Sequence, residues 1–271
     1  MSLLFHFSDP HFGVELAPVM AALKALAHSR RPDLLVLSGD ITQRAQTAEF
    51  AAARRFCDEL PRVPMLTLPG NHDIPLMNLA ARLLRPYGRY MAAFGKNLEP
   101  TLETDDMLLV GVNTTRATRH KDGEVSAAQI SEVCRRLEAA RPAQLRVVVT
   151  HQPSAVIRAD DEPDRLHGAE AALQAWSAAG ADLVLGGHIH LPYVVDLKAR
   201  PRSPTPRRMW CVQAGTAVSS RIRHNTRNSV NLIHWNAAAL GSERHCMVER
   251  CDYDPQTRVF ITASEQTLLL D

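Results

Sequence analysis

Five short apolar runs in the first 190 residues each break off into a residue that can carry chemistry, and this pattern limits the fold more than any other feature of the chain. Leu3 to Ser8 is followed by Asp9 and His11, and Asp33 to Ser38 by Asp40. Pro64 to Leu68 leads to Asn71, His72 and Asp73, Leu145 to Thr150 to His151, and Asp182 to Gly186 to His188 and His190. Short β-branched and leucine-rich runs bounded by Gly and Pro read as buried strands. A further strand is expected from Met107 to Asn113. Helices are expected between the strands, at Ala17 to Ser29, Thr47 to Leu60, Leu76 to Phe94 (broken near Pro86 and Gly88), Ser126 to Ala140 and Ala169 to Ala179. Thr47 suits a cap with Glu49 in the first turn, Ser126 and Gln129 have capping-box spacing, and Gly180 is a stop signal. Strands alternating with helices make an α/β sheet, in which the carboxyl ends of the strands form the binding crevice. The five runs therefore deliver Asp, His and Asn side chains to one edge. Gly39, Gly70, Gly186 and Gly187 stand at the corners, where the chain must turn sharply or pass close to itself.

After Pro192 the pattern changes. Tyr193 to Leu197, Met209 to Ala214, Ser229 to Trp235, Cys246 to Tyr253 and Arg258 to Ala263 read as strands with little helix between them. We expect these strands to complete the same core. Residues 1–271 are then one α/β domain with two packed sheets, the motifs lying in 1–192 and a β-rich completing part in 193–271. A chain of 271 residues, 45% hydrophobic, has enough apolar surface for such a core.

Composition excludes several classes. A formal net charge of +2 with 22% charged residues lacks the basic excess of a nucleic-acid binder. No apolar run nears the roughly 18 residues of a membrane span. The N-terminal residues lack a basic start, a long apolar stretch and a small-residue cleavage site, so no targeting segment is expected. Five scattered cysteines without a CxxC pair point to reduced thiols in a cytoplasmic protein, with Cys246 and Cys251 free rather than paired. Lys198 to Arg208 carries five cations and reads as a solvated, proline-stiffened loop ahead of a contact with a phosphate-rich or acidic partner. Nothing in the sequence sets the oligomeric state, and a homo-oligomer stays open.

Imidazole and carboxylate donors together suit Mn, Fe, Zn, Co or Ni better than Mg or Ca. There are too many of them for one tetrahedral ion and enough for two ions sharing a carboxylate. Such a pair, roughly 3.5–4 Å apart, clamps a phosphoryl group and activates a shared water. Grouped imidazoles at strand ends favour this reading for His11, His151, His188 and His190. Each of the other histidines (6, 28, 120, 167, 224, 234 and 245) reads as structural, with His120, in the polar loop after a strand, as the best exception.

The order Asp9-x-His11, Gly39-Asp40, Gly70-Asn71-His72-Asp73, His151, Gly187-His188-x-His190 resembles the calcineurin-like metallophosphoesterase family. The resemblance implies a sandwich of two mixed sheets flanked by helices and a centre of two divalent or mixed-valence transition-metal ions (Mn, Fe or Zn). It implies Asp9, His11 and His190 on one metal, Asn71, His151 and His188 on the other, and Asp40 bridging both. His72 is then the group over the phosphate that protonates the leaving oxygen, with Asp73 orienting it by a hydrogen bond. Phosphoprotein phosphatases carry a GDxxDRG motif that Gly39 to Ala45 does not match. Purple acid phosphatases have an iron-binding Tyr where Gln43 stands. The SDPHFG start and the Ala214-Gly215-Thr216 turn are most similar to bacterial phosphodiesterases of the cyclic-nucleotide and glycerophosphodiester kind. The expected reaction is hydrolysis of a small phosphodiester, cyclic nucleotides ranking first and glycerophosphodiesters second, by direct attack of a metal-bound hydroxide. The competing reading, a binding protein that has lost catalysis, requires a missing ligand or a missing His72, and neither is missing.

Overall fold

The computed structural model describes residues 2–201, 203–223, 225–236 and 244–271. One sheet runs in the order β12 (Val259–Leu270), β11 (Arg244–Asp254), β10 (Ser229–Trp235), β1 (Ser2–Phe7), β2 (Leu34–Leu37), β3 (Met65–Thr67). The other runs β4 (Thr101–Glu103), β5 (Met107–Gly111), β6 (Leu145–Val149), β7 (Leu183–Gly186), β9 (Trp210–Gln213), β8 (Tyr193–Asp196). Strands β1, β2 and β3 are parallel, as are β5, β6, β7 and β9, while β10, β11, β12, β4 and β8 add antiparallel edges. Both sheets are therefore mixed, as expected. The β-rich part is not a separate layer: β8 and β9 extend the second sheet and β10 to β12 extend the first.

Side-chain alternation explains the layers. In β1, Leu4 faces the apolar space between the sheets, with Leu34, Val36, Val147, Val149, Leu183 and Leu185. Leu3, Phe5 and Phe7 point the other way, onto α1 (Ala17–Arg30), α2 (Thr47–Asp58) and α4 (Gly88–Phe94) through Leu23, Phe50, Phe56 and Tyr90. The outer face of the second sheet places Val110, Val148 and Val184 against α5 (Ala127–Glu138) and α6 (Ala169–Ala178) through Leu137, Leu173 and Trp176. The order is helices, sheet, sheet, helices. Each fully buried Leu or Val contributes roughly 1.5–3 kcal/mol, so a strand slipped by one residue would turn its whole apolar set toward the wrong layer.

Local signals act largely as expected. Ser126 Oγ accepts from Gln129 N (3.3 Å) while Gln129 Oε1 accepts from Ser126 N (3.0 Å), closing the capping box of α5. The cap of α2 lies one residue earlier than expected, at Gln46, whose N–H donates to Glu49 (3.0 Å). The stretch from Leu76 to Phe94 is two helices, α3 (Leu79–Leu84) and α4, with Pro86 and Gly88 at the break. The three-residue edge strand β4 was not anticipated, and β12 runs on to Leu270, past the expected end at Ala263. All five cysteines are free. No helix among the described residues is long and apolar enough to cross a membrane.

The basic segment from Lys198 to Arg208 enters β9 at its amino end. Arg207 donates to the backbone carbonyl of Asp271 (3.1 Å), Arg208 lies 3.4 Å from the Asp196 carboxylate and Lys198 3.8 Å from that of Asp271. These cations are tied to Asp271 and to Asp196 of β8 at the end of the sheet opposite the strand-end motifs. Contact with a substrate there is therefore set aside. Arg202 lies outside the described residues.

Candidate metal centre

The ligand candidates meet at a seam between the sheets. Asp9, Asp40 and Asn71 follow β1, β2 and β3 of one sheet; His151, His188 and His190 follow β6 and β7 of the other. The Asp9 carboxylate accepts the His188 N–H (2.9 and 3.1 Å), and the Asp9 N–H donates to the Gly39 carbonyl (3.0 Å), locking three of the loops together. A Cβ on Gly187 would collide with Ser8 and Asp9, so this approach needs glycine. Five of the candidates sit in the left-handed backbone region: Asp9 (φ 52°), His11 (44°), Asp40 (46°), His188 (72°) and His190 (55°). For residues with a Cβ that conformation costs roughly 1–2 kcal/mol each, and strain of this kind gathers where a site must hold side chains in one place.

Two overlapping groups result. Asp9, His11, Asp40 and His190 each bring a ligand atom within 4.8 Å of the others, as do Asp40, His151 and His188, so Asp40 belongs to both. His190 Nε2 lies 3.3 Å from Asp9 Oδ1 and 3.0 Å from His11 Nε2. His151 Nε2 lies 3.2 Å from Asp40 Oδ1 and 3.3 Å from Asn71 Oδ1, which brings Asn71 into the second group. Backbone carbonyls orient two of the imidazoles: His151 Nδ1 donates to Ser38 (2.8 Å) and His190 Nδ1 to Arg221 (2.6 Å), turning both Nε2 atoms inward.

The donor set fits metal ions. Both ring nitrogens of His188 are buried without a hydrogen-bond partner among the described residues, and the nearest carboxylate, Asp164, lies 3.8 Å from Nε2, beyond hydrogen-bond reach. Orphaned buried nitrogens cost free energy unless something binds them. Burial pushes the His11 imidazole down to about 3, so it stays in the neutral form that ligates. At His151 burial also opposes charge, but the Asp40 carboxylate outweighs it and raises the group to about 9. Asp9 and Asp40 are buried, which disfavours their charge, yet the surrounding histidines hold both below the usual carboxylate range, Asp9 at about 2. The carboxylates are thus in their ligating form at any ordinary pH.

The expected role of Asp73 is corrected. Its carboxylate accepts from the N–H groups of Gly70 (2.9 Å), Ile41 (3.0 Å) and Thr42 (2.8 Å) and from Thr42 Oγ1 (2.8 Å), and does not touch the His72 ring. It stitches the Asp40 loop to the Asn71 loop. Burial and the neighbouring Asp40 charge raise it to about 6. The group that orients His72 is the Gln43 carbonyl, 2.8 Å from Nδ1.

One residue at the site escaped the sequence reading. The Arg221 guanidinium lies 3.0 Å from His72 Nε2, 3.3 Å from Gln43 Oε1 and 3.4 Å from His11 Nδ1. An arginine only donates, so Nε2 of His72 accepts and the ring proton sits on Nδ1, facing Gln43. In this arrangement His72 Nε2 is turned toward Arg221. The signal for Arg221 was its place a few residues past the Ala214-Gly215-Thr216 turn, but no spacing rule ties it to His72.

Of the remaining histidines, His6 is a core residue bonded to Ser38 Oγ (2.9 Å) and held neutral by burial, which lowers it to about 3. His28 meets the Glu59 carbonyl, His167 the Asp122 carboxylate and His234 the Glu249 carboxylate, while His245 lies on β11. His120, the exception singled out from the sequence, lines a cavity of about 450 Å³ together with Asn71 and His72. His224 lies outside the described residues.

Comparison with known proteins agrees with this geometry. The model of the calcineurin-like phosphoesterase family matches residues 3–192. A glycerophosphodiester phosphodiesterase, GpdQ, of Enterobacter lignolyticus (strain SCF1) is 27% identical over 174 residues, 59% of this chain and 60% of that protein, so the match spans less than two thirds of the relative's length. Among solved structures, the purple acid phosphatase PPD1 of yellow lupin (Lupinus luteus) superposes with a TM-score of 0.74 at 10% identity, over 100% of this chain and 54% of that one. A dimetal phosphatase of Danio rerio superposes with a TM-score of 0.63 at 11% identity, over 100% and 99% of the two chains.

Proposed function

Since the chain belongs to the calcineurin-like phosphoesterase family, we propose that it is a two-metal hydrolase of phosphodiester bonds. The observation that carries this is the pair of ligand groups sharing Asp40, with the unpartnered nitrogens of His188 turned into one of them. We assign Asp9, His11, Asp40 and His190 to one ion and Asp40, Asn71, His151 and His188 to the other. The mixed nitrogen and oxygen donors favour Mn, Fe or Zn. Such ions supply Lewis acidity, which neutralises phosphoryl charge and acidifies a water.

The chain's own groups do the rest. Asp40 fixes the spacing of the two positions, and its Oδ1 is pinned by the His72 N–H (2.8 Å). His72 and Arg221 form a hydrogen-bonded pair beside the ligands, suited to holding phosphate oxygens. The Thr42 hydroxyl is committed to Asp73 and the Ser38 hydroxyl to His6, and no Ser, Thr or Cys stands among the candidate ligands, so we infer direct in-line attack by water without a phosphoenzyme. The diester preference is supported by the name of the GpdQ relative; cyclic nucleotides and glycerophosphodiesters are the first classes to try. We take residues 1–271 as one folding unit, because β10 pairs with β1 along five residues.

The test is turnover of bis(nitrophenyl) phosphate by purified, Mn-loaded protein. Activity that chelation removes and Mn restores is expected, faster than on nitrophenyl phosphate. With a chiral thiophosphate, inversion is expected. Absence of turnover with both metals bound would reject the enzyme reading in favour of a binding protein, and a faster monoester would reject the diester preference.

A further inference from the structure

The cavity beside Asn71 and His72 has a consistent chemistry that the ligand groups do not explain. Arg44, Arg82, Arg89 and His120 line it, Leu76 and Met77 form an apolar rim, and its lining holds no carboxylate. Among the described residues Arg82 bonds only to the carbonyls of Pro75 (3.3 Å) and Arg119 (2.8 Å), and Arg89 only to that of Ala45 (2.8 Å). These guanidinium groups are therefore held in place without being neutralised. That contrasts with Arg119 nearby, which pairs with Glu124 (2.9 Å). A glycerol or a ribose oxygen needs no such wall; an anionic phosphate does, and arginine forks match phosphate oxygens. Arg221, 3.0 Å from His72, adds a further guanidinium beside the same residues.

We propose that the substrate is a diphosphate diester, R–O–P–O–P–O–R′, and that this cavity receives the departing phosphate and its organic group. The inference rests on the two-metal hydrolase reading and narrows it. Water forms a new bond to one phosphorus, the bond from that same phosphorus to the bridging oxygen breaks, and the bridging oxygen keeps the electron pair and leaves on the other phosphorus as a phosphomonoester. One water proton stays on the new phosphate group, and the other goes to the departing phosphomonoester or to solvent. The products are two phosphomonoesters and nothing is oxidised or reduced. The departing group leaves as an anion, which Arg82 and Arg89 stabilise, so no general acid is required. The apolar rim suits a nucleoside or another flat organic group on that phosphate.

The test uses the Mn-loaded full chain and three substrates: an adenosine methyl diphosphate diester, adenosine methyl phosphate and bis(nitrophenyl) phosphate. We expect kcat/KM for the diphosphate to exceed that for adenosine methyl phosphate by about tenfold or more, the scale of one or two charge-assisted hydrogen bonds. In ¹⁸O-water the label should enter methyl phosphate, because the adenosine phosphate departs into the cavity. Arg89→Met, and separately the exposed Arg44→Gln, should lower the ratio of diphosphate to bis(nitrophenyl) phosphate activity. Calorimetry of the metal-free protein should show adenosine monophosphate binding more tightly than adenosine, and Arg89→Met should reduce that difference. Equal or faster turnover of adenosine methyl phosphate would overturn the inference and leave the hydrolase reading standing. Label in adenosine monophosphate, or equal binding of the nucleoside and its phosphate, would also overturn the inference. Failure to hydrolyse any of the three would overturn both readings.

Discussion

Two buried polar clusters sit at opposite ends of the strands. At the amino ends of β6 and β7, the Asp182 carboxylate takes a fork from Arg244 (2.9 and 3.0 Å) and the Arg146 N–H (2.9 Å), and Arg244 continues to the carbonyls of Asp271 and Gln144. Both carboxylate oxygens have donors, and neither Asp182 nor Arg244 is in the left-handed region. At the carboxyl ends, the second cluster gathers two carboxylates and four imidazoles, leaves His188 unpartnered and holds five residues at positive φ. Among the described residues, the same sheets therefore build one cluster in which a buried carboxylate is paired by a guanidinium, although the Nε atoms of Arg146 and Arg244 have no hydrogen-bond partner, and one in which an imidazole has no partner on either nitrogen. Burial of charge does not distinguish them; the gathered imidazoles and the positive-φ backbone do. A buried ion pair is structural cement, whereas a strained group of ligand-type side chains marks a binding site.

Asp40→Ala should show the largest effect. Turnover is expected to fall by about 1,000-fold or more, the scale of removing a preorganised charge from a dry site, and both metal positions should lose occupancy. Full metal content by elemental analysis with near-native turnover would remove Asp40 from its bridging role. At the other end, Asp182→Ala strands the Arg244 charge and should destabilise the fold by about 3–5 kcal/mol in urea unfolding. Activity per folded molecule and metal content should not change; a loss of metal would show that the two ends are coupled and that the contrast is false.

His72→Ala comes next. If the imidazole positions phosphate with Arg221, the loss should be about 10- to 100-fold and similar for nitrophenolate and alkoxide leaving groups, as for removal of a hydrogen-bonding partner. A far larger loss with the alkoxide would restore the general-acid role. His188→Asn sharpens the comparison on the stability side. Asn tolerates the left-handed backbone and the lost nitrogens had no partners, so metal-free stability should stay within about 1 kcal/mol of the parent. A drop as large as that of Asp182→Ala would mean that His188 is structural.

The smallest effect is a slope. Burial pushes Glu249 up, but Arg30 and Thr262 outweigh it and bring it down to about 2 from the usual 4.5. A depressed carboxylate contributes stability above pH 4.5 and loses it as pH falls toward 2. Glu249→Gln should flatten the acid limb of the stability curve in that window and leave it unchanged near neutrality. An unaltered acid limb would show that this pair, like many ion pairs, contributes little.

The ligand candidates were legible because each follows a strand whose period and bounding residues are local signals. The sandwich was legible for a related reason, since apolar runs that bury both faces need layers on both sides. The expected partner of His72 was not, because the choice between Asp73 and the Gln43 carbonyl depends on how two loops lie against each other. Arg221 was not, because it is 149 residues from His72 and no periodicity links them. The far half of β12 was missed because Ser264, Glu265 and Gln266 are polar; they pair with β11 on an exposed edge, where polarity carries no penalty. The basic loop read as solvated because its tie to Asp271 is made across more than sixty residues.

The seam between the sheets carries a consequence for the order in which the molecule comes together. Each ligand group takes side chains from both sheets, with Asp9 and Asp40 on one side and His190, His151 and His188 on the other. Neither sheet alone presents a complete group, and both groups are completed only when Leu4, Val147 and their neighbours close the apolar space between the sheets. Ion uptake is then a late event that reports assembly rather than guiding it, unlike small zinc domains in which the ion organises the fold. Ligands that become adjacent only after long stretches of chain have been brought together are slow to converge. Ions held by these groups would bridge the join, so that pulling the sheets apart would break both groups at once.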